Sequence, residues 1–198
     1  MSIGGSTAEA ELASLAAIDR SGQRPPAIQP AEHVARLEKA SRLMEEMGAG
    51  TLLINAGASL RYFTGVPWGA TERLVALLLR RGRRPSMICP AFELGSLKEV
   101  LAIDADILLW EEDECPAELL ASAVAGYETL ALDPAAPFLL FSNLRAISPS
   151  LKVVDATPVV DGCRTRKSAT ELALLCYAKG LTLDIHRRAA AILRPGIR

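Results

Sequence analysis

The chain has 198 residues, enough for one domain of ordinary size with a short appendage. Half of the residues are hydrophobic and the formal net charge is −1, so a substantial core is expected, without the basic excess of nucleic-acid or anionic-lipid binding. The longest apolar run, around Leu74–Leu79, is too short to span a membrane. Glu9 and Glu11 stand where a signal peptide would carry positive charge. We therefore expect a cytoplasmic protein that binds neither nucleic acid nor membrane.

The N-terminal residues predict two helices joined by a linker. Ser6 and Glu9 fit a capping box at the start of a short helix, and residues 20–30, RSGQRPPAIQP, form a linker rich in Pro and Gly. From Ala31 a longer helix is expected, which ends at Gly48. Its apolar stripe consists of Val34, Leu37, Ala40, Met44 and Met47.

Short apolar runs and helices then alternate along the chain, which is typical of an α/β fold. The runs expected to be strands are Thr51–Asn55, Arg73–Leu79, Pro85–Pro90, Asp106–Trp110, Glu128–Asp133 and Leu151–Ala156. The helices expected between them lie near Phe92–Leu101, Pro116–Ala125 and Phe138–Ile147. Because RRGRR at Arg80–Arg84 indicates the tip of a hairpin, the sheet should be mixed rather than purely parallel. The predicted fold class is therefore α/β, a mixed sheet flanked by helices.

Three of the few aromatic residues fall within seven positions, at Tyr62, Phe63 and Trp68. We expect Tyr62 and Phe63 in the core, on opposite faces of a short strand. Two glycines and a proline keep the following loop, Thr64–Thr71, out of regular structure. Two interpretations of Trp68 stay open: it packs locally under the aromatic pair, or it is presented to something else.

The C-terminal residues predict a change of organisation. Val159–Lys167 is interpreted as a charged turn, and Ser168 with Glu171 forms a second capping box at the start of a long helix. The apolar stripe of that helix consists of Leu174, Ala178, Leu181, Ile185, Ala189 and Ile192. This helix is interpreted as the opening of a further domain.

Cysteines and histidines do not indicate a disulfide framework or a metal site. Four cysteines lie far apart, without a Cys-x-x-Cys pair: Cys89, Cys115, Cys163 and Cys176. We expect reduced, mostly buried thiols. His33 and His186 lack suitably spaced partner ligands and are interpreted as solvent-exposed residues on helix faces. The acidic run Glu111–Glu114 lacks the ligand pattern of a calcium loop and is interpreted as an exposed turn.

In order and spacing, these parts resemble the N-terminal half of the creatinase, prolidase and aminopeptidase P proteins, the pita-bread metallopeptidase family. The resemblance covers residues 32–198 and is carried by MEEMGAGTLLI at 44–54, LRYFTG at Leu60–Gly65, and RTRKSATEL at Arg164–Leu172. Arg73 is similar to the arginine that commonly opens the family's next strand, and LRPGIR at the end resembles a family turn. The chain departs from the pattern at Phe63, where Leu is usual, and at Arg166, where an apolar residue is usual.

The resemblance implies a domain order and a chemistry. Residues 1–30 would be an extension and linker, residues 31–161 a creatinase-type N-terminal domain, and residues 162–198 a linker and the first long helix of a truncated pita-bread catalytic domain. The parent is expected to hydrolyse Xaa-Pro dipeptides or short peptides with two divalent metals, manganese, cobalt or zinc. Since the family's metal ligands lie beyond residue 198, the chain itself is expected to hold no catalytic residue, metal ligand or cofactor and to be inactive alone.

The family also implies a homodimer in which the N-terminal domain overhangs the partner's active site. On that basis Trp68 and Arg73 are candidates for contacting the Xaa-Pro substrate in trans. Two alternatives stay open for the parent: a creatinase-like amidinohydrolase, and a pita-bread binding module without enzymatic activity. The residues that follow Arg198 would distinguish them.

Overall fold

A computed structural model describes residues 3–18 and 21–197, apart from the side chain of Ser21. Small parts of the predicted extension and C-terminal segment, at residues 1–2, 19–20 and 198, lie outside this description. The helices are α1 Ala8–Ala16, α2 Pro30–Glu46, α3 Ala58–Thr64, α4 Leu94–Val100, α5 Pro116–Ala123, α6 Phe138–Ile147, α7 Thr157–Arg164 and α8 Ala169–Ile192. The strands are β1 Thr51–Asn55, β2 Ala76–Arg80, β3 Ser86–Pro90, β4 Asp106–Trp110, β5 Thr129–Leu132 and β6 Lys152–Asp155. Short 3₁₀ turns occur at Ser21–Gln23 and Ala91–Glu93.

The chain divides into two compact units. The larger unit comprises Gln29–Arg166 and contains the whole sheet, and the smaller unit combines Met1–Ile28 with Lys167–Arg198. The strand order in the sheet is β4-β3-β2-β1-β5-β6. β2 is antiparallel to both β1 and β3, whereas the other neighbouring pairs are parallel, so the sheet is mixed as predicted. The hairpin that makes it mixed joins β2 to β3 through the arginine-rich turn.

Successive side chains of a strand point to opposite faces of the sheet, so each strand contributes to two hydrophobic layers, one on each face. Leu52 and Ile54 of β1 belong to the layer formed with α2, α3, α4 and α7. Leu53 of the same strand belongs to the layer formed with α5 and α6. The side chains of Leu52, Leu53 and Ile54 are fully buried. Burial of each stabilises the fold by about 1.5–3 kcal/mol relative to an exposed side chain.

The prediction of a short strand at Tyr62 and Phe63 is wrong, because this segment is helix α3. Gly57 and Gly65 bracket the helix, with φ of 127° and 78°. Leu60 and Phe63 are fully buried three residues apart, which is a helical rather than a strand period. Their burial against the core decides the conformation although aromatic residues favour strands.

A second correction concerns the predicted charged turn at Val159–Lys167, much of which is helix α7. Val159, Val160 and Cys163 are buried at helical spacing, and their side chains join the layer that contains α2. Pro158 stands in the first turn of the helix, where the missing N–H costs no hydrogen bond. The helix was not predicted because polar residues interrupt its apolar face, so the segment contains no long apolar run.

The smaller unit consists mainly of α1 and α8. Ser168 caps α8 with Glu171 as predicted, whereas α1 is capped by Thr7, whose Oγ1 accepts a hydrogen bond from Ala10 N at 3.2 Å, and not by Ser6. A 3.0 Å ion pair between Glu11 and Arg188 links the two helices. Neither helix has a fully buried residue, so most of the predicted α8 stripe stays partly exposed. Through the described residues, α8 included, no helix has the length and hydropathy that crossing a membrane requires.

Candidate functional site

Both residues predicted to contact substrate lie on the connection between α3 and β2. The connection begins at Gly65, which ends α3 in the left-handed conformation. A β-carbon added at Gly65 would lie 2.8 Å from Ala102 Cβ and 3.2 Å from His33 Nε2, so only glycine fits this position without displacing a neighbour. Val66 follows, fully buried, and its N–H donates to Thr64 Oγ1 at 3.2 Å. The start of the connection is therefore fixed to the core.

Trp68 is partly buried and packs against the hydrophobic layer that contains Phe63. Its backbone N–H donates to Val66 O at 3.0 Å, which closes a tight turn around exposed Pro67. The next residues, Gly69 and Ala70, are exposed. One part of the Trp68 side chain thus contacts the domain core while the rest is available to solvent or to another molecule.

Arg73 stands at the other end of the connection, where its guanidinium is held by two carboxylates. Nε and Nη2 donate to Glu112 Oε1 at 2.9 and 2.7 Å, and Nη1 donates to Glu72 Oε1 at 2.8 Å. The hydrogen bond and the charge of Glu112 raise the pKa of Arg73 above its ordinary value. The guanidinium also lies 5.5 Å from the centre of the Phe92 ring. The acidic run that contains Glu112 is an exposed turn, as predicted.

The structure adds an anchor beneath the connection that the sequence analysis missed. The carbonyl oxygen of Tyr62 accepts hydrogen bonds from His33 Nδ1 at 3.0 Å and from Arg36 Nη1 at 2.7 Å. The Arg36 guanidinium lies 4.0 Å from the centre of the Tyr62 ring and pairs with Glu32 at 2.6 Å. Tyr62 Oη donates to Cys163 O at 2.9 Å. These contacts hold α3, and the connection that follows it, against α2 and α7.

The prediction that His33 is solvent-exposed is therefore wrong, whereas His186 is exposed as expected. His33 is buried because it shares a helix face with Leu37, Ala40 and Met44, at spacings of four, three and four residues. That spacing was visible in the sequence, but Val34 was placed on the buried face instead. Val34 is 47% exposed.

We expect the free energy of unfolding of the larger unit to fall as the pH drops below 6.5. Burial lowers the pKa of His33 below its ordinary value of 6.5, so the unfolded chain binds the proton more strongly than the native state does. Stability is therefore complete above pH 6.5, decreases below it, and levels off under the folded-state pKa. Urea unfolding followed by tryptophan fluorescence measures this, since Trp68 and Trp110 both belong to the larger unit.

Substitution of His33 by Asn should remove that part of the pH dependence while retaining a donor near Tyr62 O. The raised pKa of buried Asp133 changes the free energy of unfolding with the opposite sign at more acidic pH. This contribution is common to the natural chain and His33→Asn, so it cancels in the difference between them. His186→Asn, located in the smaller unit, is the matched control. An identical pH profile for His33→Asn and the natural chain would contradict the role assigned to His33.

The four cysteines occupy different environments. All four cysteines are free, and burial raises the pKa of the Cys89 thiol to about 11 and also raises that of Cys163. Cys115 is partly buried and Cys176 is exposed, so the expectation of mostly buried thiols holds for only two residues. Across the described ranges, no three His, Cys, Asp or Glu residues converge as metal ligands would. The connection can offer a partly exposed indole and a fixed guanidinium, which suit binding.

Comparisons with known proteins match this architecture to one family. Residues 36–166 match the Creatinase/Prolidase N-terminal domain. The probable dipeptidase PepE of Mycobacterium tuberculosis is 28% identical over 170 residues, which is 83% of this chain and 44% of that protein. The crystal structure of dipeptidase PepE from Mycobacterium ulcerans is 30% identical, with a TM-score of 0.72 over 82% of this chain and 44% of that one.

A smaller relative shows the same fold. The Creatinase/Prolidase N-terminal domain of an X-Pro dipeptidase from Streptococcus pyogenes has a TM-score of 0.56 at 19% identity, and the match covers 65% of this chain and 98% of that one. The chain spans 44% of the length of the PepE proteins that it matches. With a family match over more than half of its residues, the chain belongs to the Creatinase/Prolidase N-terminal domain family.

Proposed function

We propose that this chain is the N-terminal, substrate-restricting and dimerising domain of a proline-specific metallopeptidase that acts on Xaa-Pro dipeptides or short peptides. The observation that carries the proposal is the match of residues 36–166 to the Creatinase/Prolidase N-terminal domain. Two findings support it: relatives that share the fold are dipeptidases, and the chain spans 44% of the PepE length. Four free cysteines are typical of a reducing compartment and support a cytoplasmic location.

The two divalent metals implied by the family do not fit the residues described here. A dinuclear site needs several carboxylate and imidazole ligands that converge, and no such group occurs among the described residues. In our proposal the metals, manganese, cobalt or zinc, belong to another part of the longer protein. The role of this chain is to shape access to the substrate.

Within a homodimer, the connection that carries Trp68 and Arg73 would reach the substrate held by the partner subunit. The half-buried indole is suited to form a rigid apolar wall against a proline ring. Arg73 is suited to contact polar groups of the substrate, because Glu72 and Glu112 hold its guanidinium in a fixed orientation. The fixed start of the connection at Gly65 and Val66 supports such a role, because a positioned wall loses less entropy on binding.

In the longer protein, Trp68→Ala should lower kcat/KM for an Xaa-Pro dipeptide by about 10- to 100-fold, or roughly 1.4–2.7 kcal/mol of transition-state binding. The loss arises because alanine leaves the proline ring without its apolar wall. Kinetics and urea unfolding of the same purified variant test this. Normal turnover per folded molecule, combined with a loss of stability of about 3–5 kcal/mol, would show instead that Trp68 serves the core alone.

A further inference from the structure

A small cleft opens at the carboxyl end of β1, on the face of the sheet that carries α5 and α6. β1 and β5 are parallel neighbours, but the chain leaves β1 toward β2 and leaves β5 toward β6 on the opposite side. The strand order thus reverses between β1 and β5. In open α/β sheets, ligands bind outside the carboxyl ends of strands at such a reversal.

Asn55, the last residue of β1, lines this cleft with a buried polar side chain. The residue is only 4% exposed. Its backbone N–H donates to Asp133 Oδ2 at 3.2 Å, whereas none of the described residues forms a hydrogen bond with its carboxamide. The carboxamide atoms of Asn55 are not among the fully buried unpaired atoms of the described residues, so this group faces the cleft and can bind there. A ligand in the cleft would satisfy this group.

The surroundings of Asn55 combine apolar walls with uncharged polar groups. The walls are formed by Leu74, Pro116, Ala117, Pro137 and Leu140. Asn143 of α6 adds a second carboxamide, and Thr71 adds a hydroxyl. Helices α5 and α6 both begin here, at Pro116 and Phe138. The cleft therefore offers donors and acceptors close to apolar surface.

The charged groups at the mouth of the cleft are already paired with one another. Arg73 and Glu72 line the mouth, and they form an ion pair with each other at 2.8 Å. Glu112 holds the remaining side of the Arg73 guanidinium at 2.7 Å. A carboxylate ligand would have to compete with two carboxylates for one guanidinium. An uncharged hydrogen-bonding group binds without that competition.

We propose that this cleft is a binding site for an uncharged carboxamide or peptide group. The cleft has a volume of about 70 Å³, which leaves room for a group of this kind beside Asn55. Asn55 pairs with the amide, which has both a donor and an acceptor, and the apolar walls receive its substituent. The amide comes from a primary carboxamide or from a peptide backbone. The site lies within one domain and needs neither a metal nor a partner subunit, so it does not depend on the proposed function.

Amide titrations followed by NMR on the ¹⁵N-labelled 198-residue chain test the site. Acetamide represents a primary carboxamide, N-methylacetamide represents a peptide group, and acetate is the charged control of matched shape. We expect saturable shifts of the Asn55 side-chain NH₂ signals with a dissociation constant of about 1–100 mM for at least one amide. Acetate should bind at least about tenfold more weakly. Whichever amide binds more tightly identifies the source of the group.

Two variants assign the binding to the cleft. Asn55→Leu should abolish the saturable shifts that the amides cause in the backbone N–H signals of the cleft residues, and its own spectrum shows whether the domain is folded. Asn143→Leu changes a partly exposed position on α6 and should weaken amide binding by at least about threefold, whereas the neighbouring exposed Ser142→Leu should not. The proposal is overturned if neither amide produces saturable shifts at Asn55, if acetate binds as tightly as the amides, or if folded Asn55→Leu binds them unchanged.

Discussion

Replacement of Phe63 by Ala is expected to lower the free energy of unfolding of the larger unit by about 3–5 kcal/mol. Phe63 is fully buried in the layer between the sheet and α2, and its ring meets that of Tyr62 edge-on at 4.9 Å. Alanine would leave a cavity in this layer and remove the edge-to-face contact. Urea unfolding followed by tryptophan fluorescence gives the change directly.

Phe138→Ala is the matched control, because the same atoms are removed from a side chain that is 78% exposed. We expect its effect to stay within about 0.5 kcal/mol, as for other surface substitutions. If both variants lost the same stability, the assignment of α3 to the core would be wrong.

Gly65→Ala should also destabilise the larger unit strongly, by more than about 2 kcal/mol. The left-handed conformation alone costs a residue with a β-carbon about 1–2 kcal/mol. At Gly65 the added carbon would in addition lie 2.8 Å from Ala102 Cβ, so α3 or the segment after α4 would have to move. That movement would disturb the hydrogen bond from Ala102 N to Thr64 O at 3.2 Å.

The variant Gly48→Ala separates the free-energy cost of the left-handed backbone from the cost of the clash. Gly48 follows α2 with φ of 73°, close to the 78° of Gly65, but an added β-carbon there has no neighbour within 4 Å. It should therefore show the cost of the backbone conformation without the clash. Equal losses for the two variants would contradict the close approach of Gly65 to Ala102.

Much of the larger unit could be predicted from sequence because most of its strands and helices are marked by residues within or next to the segment itself. The strand Asp106–Trp110 and the helix Phe138–Ile147 agree with prediction residue by residue, since each is an apolar segment bounded by turn residues. The hairpin was predictable because a run of five residues, RRGRR, separates two apolar strands. Ser168 and Glu171 signalled the start of α8 because their two reciprocal hydrogen bonds lie within one turn.

The predictions fail where tertiary contacts, and not the local sequence, determine the conformation or the burial of a residue. α3 and α7 are short helices whose burial against the core outweighs local preference, and neither shows a long periodic pattern. The spacing of His33 with Leu37 and Ala40 was visible in the sequence, but its hydrogen-bond partner, the Tyr62 carbonyl, lies 29 residues away. The cleft at Asn55 could not be predicted, because its walls come from segments that only the fold brings together. Trp68 was predicted to lie in the connection between α3 and β2, whereas Arg73 was expected to open the next strand and lies instead in the connection, before β2 begins at Ala76.

Hydrolysis of an Xaa-Pro dipeptide tests the central claim most directly, measured for the complete protein that we propose to contain this chain and for the 198 residues alone. With manganese, cobalt or zinc present, the complete protein should release proline and lose this activity in a chelator. The 198 residues alone should show no turnover above buffer, because their described part has no converging set of metal ligands. Turnover by the 198 residues alone, or a complete protein that releases no proline with any of the three metals, would contradict the account.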